Sequence, residues 1–484
     1  MYLGLDLGTS GVKALLIDET QTIIGSKDAP LEVSRPHPGW SEQNPAHWLE
    51  ATGKALDALK QSHPKQLAAV KGIGLSGQMH GATLLDSDDN VLRPCILWND
   101  TRSHKEAAEL DNDPQFRKLS GNIVFPGFTA PKLVWVKSNE PNIFAKTSMV
   151  LLPKDYLRLW LTGEHVSDMS DAAGTSWLDV KKRNWSTELL EATNLSKNEM
   201  PRLVEGSDIS GKLRGELASR WGMKNVVVAG GAGDNAASGI GLGTVEAGSA
   251  FVSLGTSGVL FAANNSYLPN PESAVHTFCH ALPNTWHQMG VVLSATDCLN
   301  WWAGVAGSDA ATLTNELGDA LVAPSNLTFL PYLSGERTPH NDANIRGSFI
   351  GLEHTHDRKA MTRAVLEGVA FALRDSLEAL KVAGTSLNNV MAVGGGTRSA
   401  HWLQIVSNAL GIPLSLPEDG DFGAAFGAAR LGLLAAENIE ANEICIAPKI
   451  TASYDPDTLL REPYEQAYNR YRAFYPALTA VTGN

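Results

Sequence analysis

The chain has 484 residues, 43% apolar and 19% charged, with 39 Lys+Arg against 52 Asp+Glu and a net charge of −13. That length accommodates about two or three domains with sizeable cores, and an acidic balance without runs of like charge argues against a surface that tracks nucleic-acid phosphates. No basic, apolar leader opens the chain and no run of 18 apolar residues follows, while Cys95, Cys279, Cys298 and Cys445 are too scattered for a metal site or a disulfide framework; a cytoplasmic chain without a membrane partner is expected.

In chain order, the first element is an apolar run over residues 2–7, then the small-residue turn Gly8-Thr9-Ser10-Gly11, then a second apolar run over 12–17. The pattern predicts strand, glycine turn and strand. Asp6 stands near the end of the first strand, and one carboxylate beside a phosphate loop suits Mg²⁺, which is usually held by one or two carboxylates with waters and phosphate oxygens. Lys13 on the return strand reads equally as a phosphate contact or a solvated strand residue.

A strand predicted over 70–76 ends at Gly77 and runs into Gln78-Met79-His80, and two further polar clusters follow: Trp98-Asn99-Asp100-Thr101-Arg102 and Lys154-Asp155-Tyr156. Together they supply the donors, acceptors and aromatic wall that polyol recognition needs. His80 taken singly reads as a structural histidine. A strand over 226–229 leads through Gly230-Gly231-Ala232-Gly233 to Asp234-Asn235. An Asp after glycines is, by itself, a turn or cap residue; at a phosphoryl-transfer site it would accept the proton of the attacking hydroxyl.

The glycine-rich stretch 239–243 marks the expected boundary between halves. Beyond it, Leu254-Gly255-Thr256-Ser257-Gly258-Val259 repeats Leu7-Gly8-Thr9-Ser10-Gly11-Val12 residue for residue, half a chain later and again between two apolar runs. Two hairpins with small-residue tips let two loops face each other with backbone N–H groups turned toward an anion, and a polyphosphate is the natural occupant. Apolar residues near a 3.6 period predict a helix over 361–381. A strand over 390–393 then enters Gly394-Gly395-Gly396-Thr397-Arg398-Ser399, where the triplet lets a flat heterocycle lie on backbone and Ser399 suits a helix N-cap. The stretch 420–429, from Gly420-Asp421-Phe422 onward, reads as a small-residue helix pressed on a sheet. The expected domains are 1–245, 246–436 and a helical appendage over 437–484.

Asp6-Leu7-Gly8-Thr9-Ser10, Gly255-Thr256-Ser257-Gly258 and Gly394-Gly395-Gly396 resemble the two phosphate loops and the adenosine loop of the FGGY family of carbohydrate kinases. Gly127-Phe128-Thr129-Ala130-Pro131-Lys132-Leu133-Val134-Trp135 is similar to one of its signatures, and the resemblance covers nearly the whole chain. It implies an α/β fold of two ribonuclease-H-like domains of the actin, Hsp70 and sugar-kinase type, related by duplication and closing on ATP and sugar in an interdomain cleft. It also implies Asp234 as general base, beside Asp6 serving the metal. The candidate ATP contacts are Gly8, Thr9, Ser10, Lys13, Gly255, Thr256, Gly395, Gly396 and Ser399. Ser76-Gly77-Gln78-Met79-His80-Gly81 is similar to the sugar loop of members acting on xylulose, which makes Gln78, Met79, His80, Trp98, Asp155 and Asn235 the candidate substrate contacts. The implied reaction is ATP- and Mg²⁺-dependent phosphorylation of the 5-hydroxyl of D-xylulose. L-ribulose, gluconate or another polyol is the alternative acceptor, and a sugar sensor or ATPase switch on the same fold is the reading from another class; a homodimer is left open.

Overall fold

The computed structural model describes residues 1–418, 420 and 422–482. Strands β1 (Tyr2–Leu7), β2 (Gly11–Ile17) and β3 (Ile23–Pro30) form an antiparallel meander. Helix α1 (Pro45–Ser62) then crosses over to β4 (Gly72–Gly77), which runs parallel to β1 with Asp6 level with Ser76. The helix starts where it does because the Asn44 side chain accepts the Ala46 N–H and Pro45 fills the first turn; it buries Trp48, Ala55, Leu56 and Leu59. A long excursion, including helix α2 (Pro153–Thr162), returns as β5 (Ile209–Lys212), β6 (Val227–Ala229) and the short β7 (Ala232–Gly233). The sheet order is β5-β6-β4-β1-β2-β3, with β7 alongside the end of β4. Helix α3 (Asp234–Gly241) follows directly.

The second half repeats this plan. Strands β8 (Ala250–Leu254) and β9 (Gly258–Asn264) pair antiparallel as β1 and β2 do, and β10 (His276–Cys279) and β11 (Trp286–Val292) extend that side. Helix α4 (Arg358–Val382) crosses to β12 (Val390–Val393), parallel to β8 as β4 is to β1. Helix α5 (Ala400–Leu410), strand β13 (Leu414–Pro417), helix α6 (Ala424–Glu437), strand β14 (Ile450–Tyr454) and helix α7 (Arg461–Thr482) complete it. The order β10-β11-β9-β8-β12-β13-β14 therefore has the same central arrangement as the first sheet. This is the ribonuclease-H-like plan in duplicate, and the repeated hexapeptide is the turn of each central hairpin.

At the expected boundary, Gly239 and Gly241 lie inside α3. Helix α6, in the second expected domain, reaches across to pack on α3 and on β1 and β4 of the first sheet. Small residues allow the approach: a Cβ on Gly74 would lie 1.7 Å from the Ala428 carbonyl oxygen, and one on Gly427 1.8 Å from that of Ala237. Residues 437–484, expected as a helical appendage, are built into the second sheet and core. Strand β14 pairs with β13, and α7 buries Tyr464, Tyr468 and Tyr471 in the second core, where the Tyr468 hydroxyl donates to Asp375 at 2.6 Å. Tyrosines that bury their rings and bond their tips give a weaker apolar pattern than leucines, which is why the segment reads as peripheral. Asp421, in the expected small-residue helix, lies outside the described residues; among those described, no helix is long and apolar enough to cross a membrane.

The α6 contact leaves no room for a methyl group on backbone. Gly74→Ala should lower stability by about 3 kcal/mol or more through overpacking, read as a fall in the thermal midpoint; an unchanged midpoint would contradict this packing.

Candidate functional site

Asp6, Ser76 and Ala232 stand abreast on β1, β4 and β7, and Asp6 faces Lys13 across the β1–β2 pair. Two residues beyond Ala232 the chain enters α3, with Asp234 in its first turn. The Asn235 backbone N–H and side-chain amide both donate to Asp234 Oδ1, at 2.8 and 3.0 Å. Burial and, secondly, the negative charge of Asp6 push the Asp234 carboxyl up to about 7. A carboxyl that titrates near neutrality is matched to accepting a proton from an alcohol. Two carboxylates whose charges oppose each other, with the buried Ser76 hydroxyl alongside Asp6, are an all-oxygen donor set that fits a hard divalent cation.

The first hairpin tip is tight, Gly8 N donating to Gly11 O at 2.9 Å, and it leaves Ser10 exposed. Thr9 is tied down by a network: its hydroxyl donates to Gln78 Oε1 and accepts from the Trp98 indole N–H, each at 3.0 Å. Gln78 Nε2 in turn donates to Gln43 Oε1, and Gln43 Nε2 donates to the Thr9 carbonyl at 2.7 Å. Gln78 is thus buried with both ends of its amide engaged, tying the first hairpin tip to the turn that Met79 and His80 form. Trp98 remains 48% exposed, while Asp100 and Arg102 of the same cluster bond each other in the interior. In the second hairpin, Thr256 is exposed, and the carbonyls of Gly255 and Thr256 accept the N–H groups of Thr296 and Ala295.

The candidate sugar loop is built from His80, at φ 69°, and the buried Met79. The His80 carbonyl accepts from Lys132 Nζ at 2.8 Å and from the Thr129 hydroxyl at 3.2 Å, so the signature over 127–135 serves to hold this turn. Its ring stacks on Phe128 at 4.6 Å, and Nδ1 lies 2.6 Å from the Gly174 carbonyl. Burial lowers the imidazole to about 3. The ring is therefore neutral at pH 7, Nδ1 carries the proton that Gly174 accepts, and Nε2 is an acceptor suited to a hydroxyl. Met79 packs against Gly233, where a Cβ would lie 2.8 Å from its Cγ, which brings the sugar loop beside Asp234.

Asp155 is not at this surface. It is fully buried with its carboxylate on Lys154 Nζ at 2.5 Å and on Arg158 at 3.3 Å, so the expectation of a substrate contact is corrected: an ion cluster occupies it.

A cavity of about 430 Å³ lies between the halves, within the usual range of small-molecule sites. The first half contributes Asn235 and Ser238; the second contributes Ser253, Gly394, Gly395 and Thr397, with Phe422 as an aromatic wall. Gly395 is open to it, and Gly394 takes φ 94°, which glycine adopts without strain. Gly396 faces inward instead, where a Cβ would lie 2.7 Å from that of Leu254, and the Ser399 hydroxyl accepts the Trp402 N–H as the cap of α5. Neither lines the cavity. Asn235 bonds Asp234 and lines this cavity at the same time, rather than the sugar loop.

Gln43 helps build the site and is absent from the sequence reading, because its partners Thr9 and Gln78 lie far along the chain. Lys132 and Phe422 stood there only within motifs, without a role at the site.

Residues 1–241 match the N-terminal domain of the FGGY family of carbohydrate kinases, and residues 250–436 its C-terminal domain. A xylulose kinase of Escherichia coli K12 is 49% identical over 99% of both chains. One of Lactococcus lactis is 36% identical over 99% of this chain and 97% of its own. Among solved structures, a xyloylose kinase from Brucella ovis superposes with a TM-score of 0.98 at 64% identity, covering 99% of each chain.

Raising a carboxyl from 3.8 to about 7 on folding makes its ionised form a liability: its contribution is neutral below the unfolded value, and stability is lost as pH rises from about 4 to 7. Asp234→Asn should therefore raise the thermal midpoint at pH 8 while leaving it nearly unchanged at pH 4. An equal shift at both values would contradict the strained carboxylate.

Proposed function

The chain belongs to the FGGY family of carbohydrate kinases, and from that premise we propose that it transfers the terminal phosphoryl group of ATP to the 5-hydroxyl of D-xylulose, giving D-xylulose 5-phosphate and ADP. The observation that carries the reading is Asp234: a carboxyl raised to about 7, fixed by Asn235 and packed through Gly233 against the Met79-His80 sugar loop, while its neighbour Asn235 lines the cavity of the glycine triplet. A base between a polyol loop and a nucleotide cavity is the arrangement that phosphoryl transfer to an alcohol requires.

In this mechanism the sugar lies along Met79 and His80, with Nε2 of the neutral His80 accepting a hydroxyl proton in a hydrogen bond and Trp98 as the apolar wall. The heterocycle of ATP rests against Gly395 and Phe422, and its phosphates extend toward the two hairpin tips, where the backbone of Gly8 to Ser10 and of Gly255 to Thr256 turns to meet them. Asp234 orients the attacking oxygen and takes its proton as the bond to phosphorus forms. Asp6 would hold Mg²⁺, with Lys13 opposite it; when bound, that ion neutralises charge on the transferring phosphoryl group. Because the tips belong to different halves, substrate binding draws them together and excludes water from the phosphoryl group.

ADP formation measured with D-xylulose, L-ribulose, gluconate or no sugar tests the proposal: turnover should require sugar and be fastest with D-xylulose. Asp234→Asn should lower kcat by about 10²–10⁴ with both substrates still bound. ADP release that ignores sugar would replace the kinase reading with an ATPase switch, and preference for another polyol would reassign the acceptor.

A further inference from the structure

Behind the sugar loop lies a group of ions that the mechanism does not use. Asp155, Asp168 and Asp171 offer carboxylate oxygens within 4.8 Å of one another, the spacing of a cation site. The cation is part of the chain: Lys154 Nζ lies 2.5, 2.6 and 3.2 Å from the three carboxylates, and all four side chains have no exposure. Arg158, equally buried, meets Asp155 at 3.3 Å. Burial opposes the charge on Lys154, yet the three carboxylates outweigh it and hold its pKa above the ordinary lysine value.

What this cluster touches gives it a meaning. Asp168 Oδ2 accepts from the Ser170 backbone N–H at 2.8 Å and from its hydroxyl at 2.5 Å. Ser170 Oγ in turn accepts the Gly233 N–H at 3.1 Å, one residue before Asp234. Arg158 holds the other side of the same turn, donating to the carbonyls of Ala229 at 2.7 Å and Gly230 at 2.5 Å. The short helical segment that begins after Asp168 continues to Gly174, whose carbonyl receives His80.

We infer that Lys154 is a positioning residue: with Asp155, Asp168 and Asp171 it forms a buried anchor that fixes the Asp234 carboxylate through Ser170 and Gly233, and the His80 ring through Gly174. The inference rests on the reading of Asp234 as the base. Well-packed apolar residues stabilise an interior at least as well as buried ions do, so five buried ionisable side chains converging on one turn point to geometry. The anchor ties base and sugar contact to one rigid body, and reacting groups need that registration, because a displacement of about 1 Å at a reacting centre can lower the rate about 100-fold.

Ser170→Ala removes the acceptor of the Gly233 N–H and leaves the ions in place, avoiding the unfolding that removal of Lys154 would risk. In the full-length enzyme, kcat should fall about 10- to 100-fold with KM for ATP little changed, the acid limb of the kcat–pH profile should move, and Ser170→Thr should regain most of the loss. A Ser170→Ala enzyme with parental kcat and pH profile would overturn the inference. A loss that merely follows the unfolded fraction in thermal denaturation would also overturn it, leaving the cluster a structural pillar. Asp234→Asn, assayed in parallel, separates the two readings: near-normal kcat there removes the base and this inference with it, whereas an inactive Asp234→Asn beside an unaffected Ser170→Ala removes this inference alone.

Discussion

The repulsion between Asp6 and Asp234 is the constraint on which the rest of the molecule depends. Two half-buried carboxylates on opposite sides of β4 are unfavourable, and burial together with this repulsion holds Asp234 near neutrality. Such an arrangement persists only where the surrounding structure enforces it. Here β1, β4 and β7 fix the strands in register, α6 closes the back of the sheet at backbone contact, and the Arg158 and Ser170 bonds lock the turn before Asp234. The repulsion between the two carboxylates is complementary to what the proposed reaction brings: a cation for Asp6 and a proton donor for Asp234.

The duplicated hairpin explains why the polar machinery is divided as it is. Each half supplies one small-residue tip, but the contents of the halves have diverged. The first carries the carboxylates, the candidate sugar loop and the buried ion cluster, and the second carries the glycine triplet and the cavity wall. Helix α6 crosses from the second half to pack against the first sheet and α3 through Gly74, Gly427 and the alanines between. Any movement of one half against the other has to leave this contact intact.

How much of this was legible in the sequence follows from how far apart the interacting residues lie. The hairpin repeat, Asp6 and the strand-to-Asp234 junction were readable because each is a local pattern of apolar residues, glycine and one carboxylate. Gln78 does follow a strand, while Asp155 sits in the first turn of α2, and the partners of both are remote: Gln43 lies 35 residues before Gln78, and Asp168 and Asp171 sit in a different segment from Lys154. No spacing rule distinguishes a polar residue that faces a ligand from one that faces another polar residue in the interior. Gly396 and Ser399 were misdirected for a related reason, since a glycine triplet and a cap serve a strand-to-helix turn whether or not a ligand lies on it. The C-terminal stretch read as peripheral because its buried positions are tyrosines whose hydroxyl partners, such as Asp375, are distant in sequence.

The most direct test of the account is the titration of Asp234 itself, followed through its carboxyl carbon by NMR in the unliganded protein and again with Mg²⁺ and a non-hydrolysable ATP analogue. A titration near 7 without ligands, moving down when the cation neutralises Asp6, is the expected result. An ordinary carboxylate value near 4, indifferent to the cation, would contradict the coupling of the two carboxylates from which the rest is built.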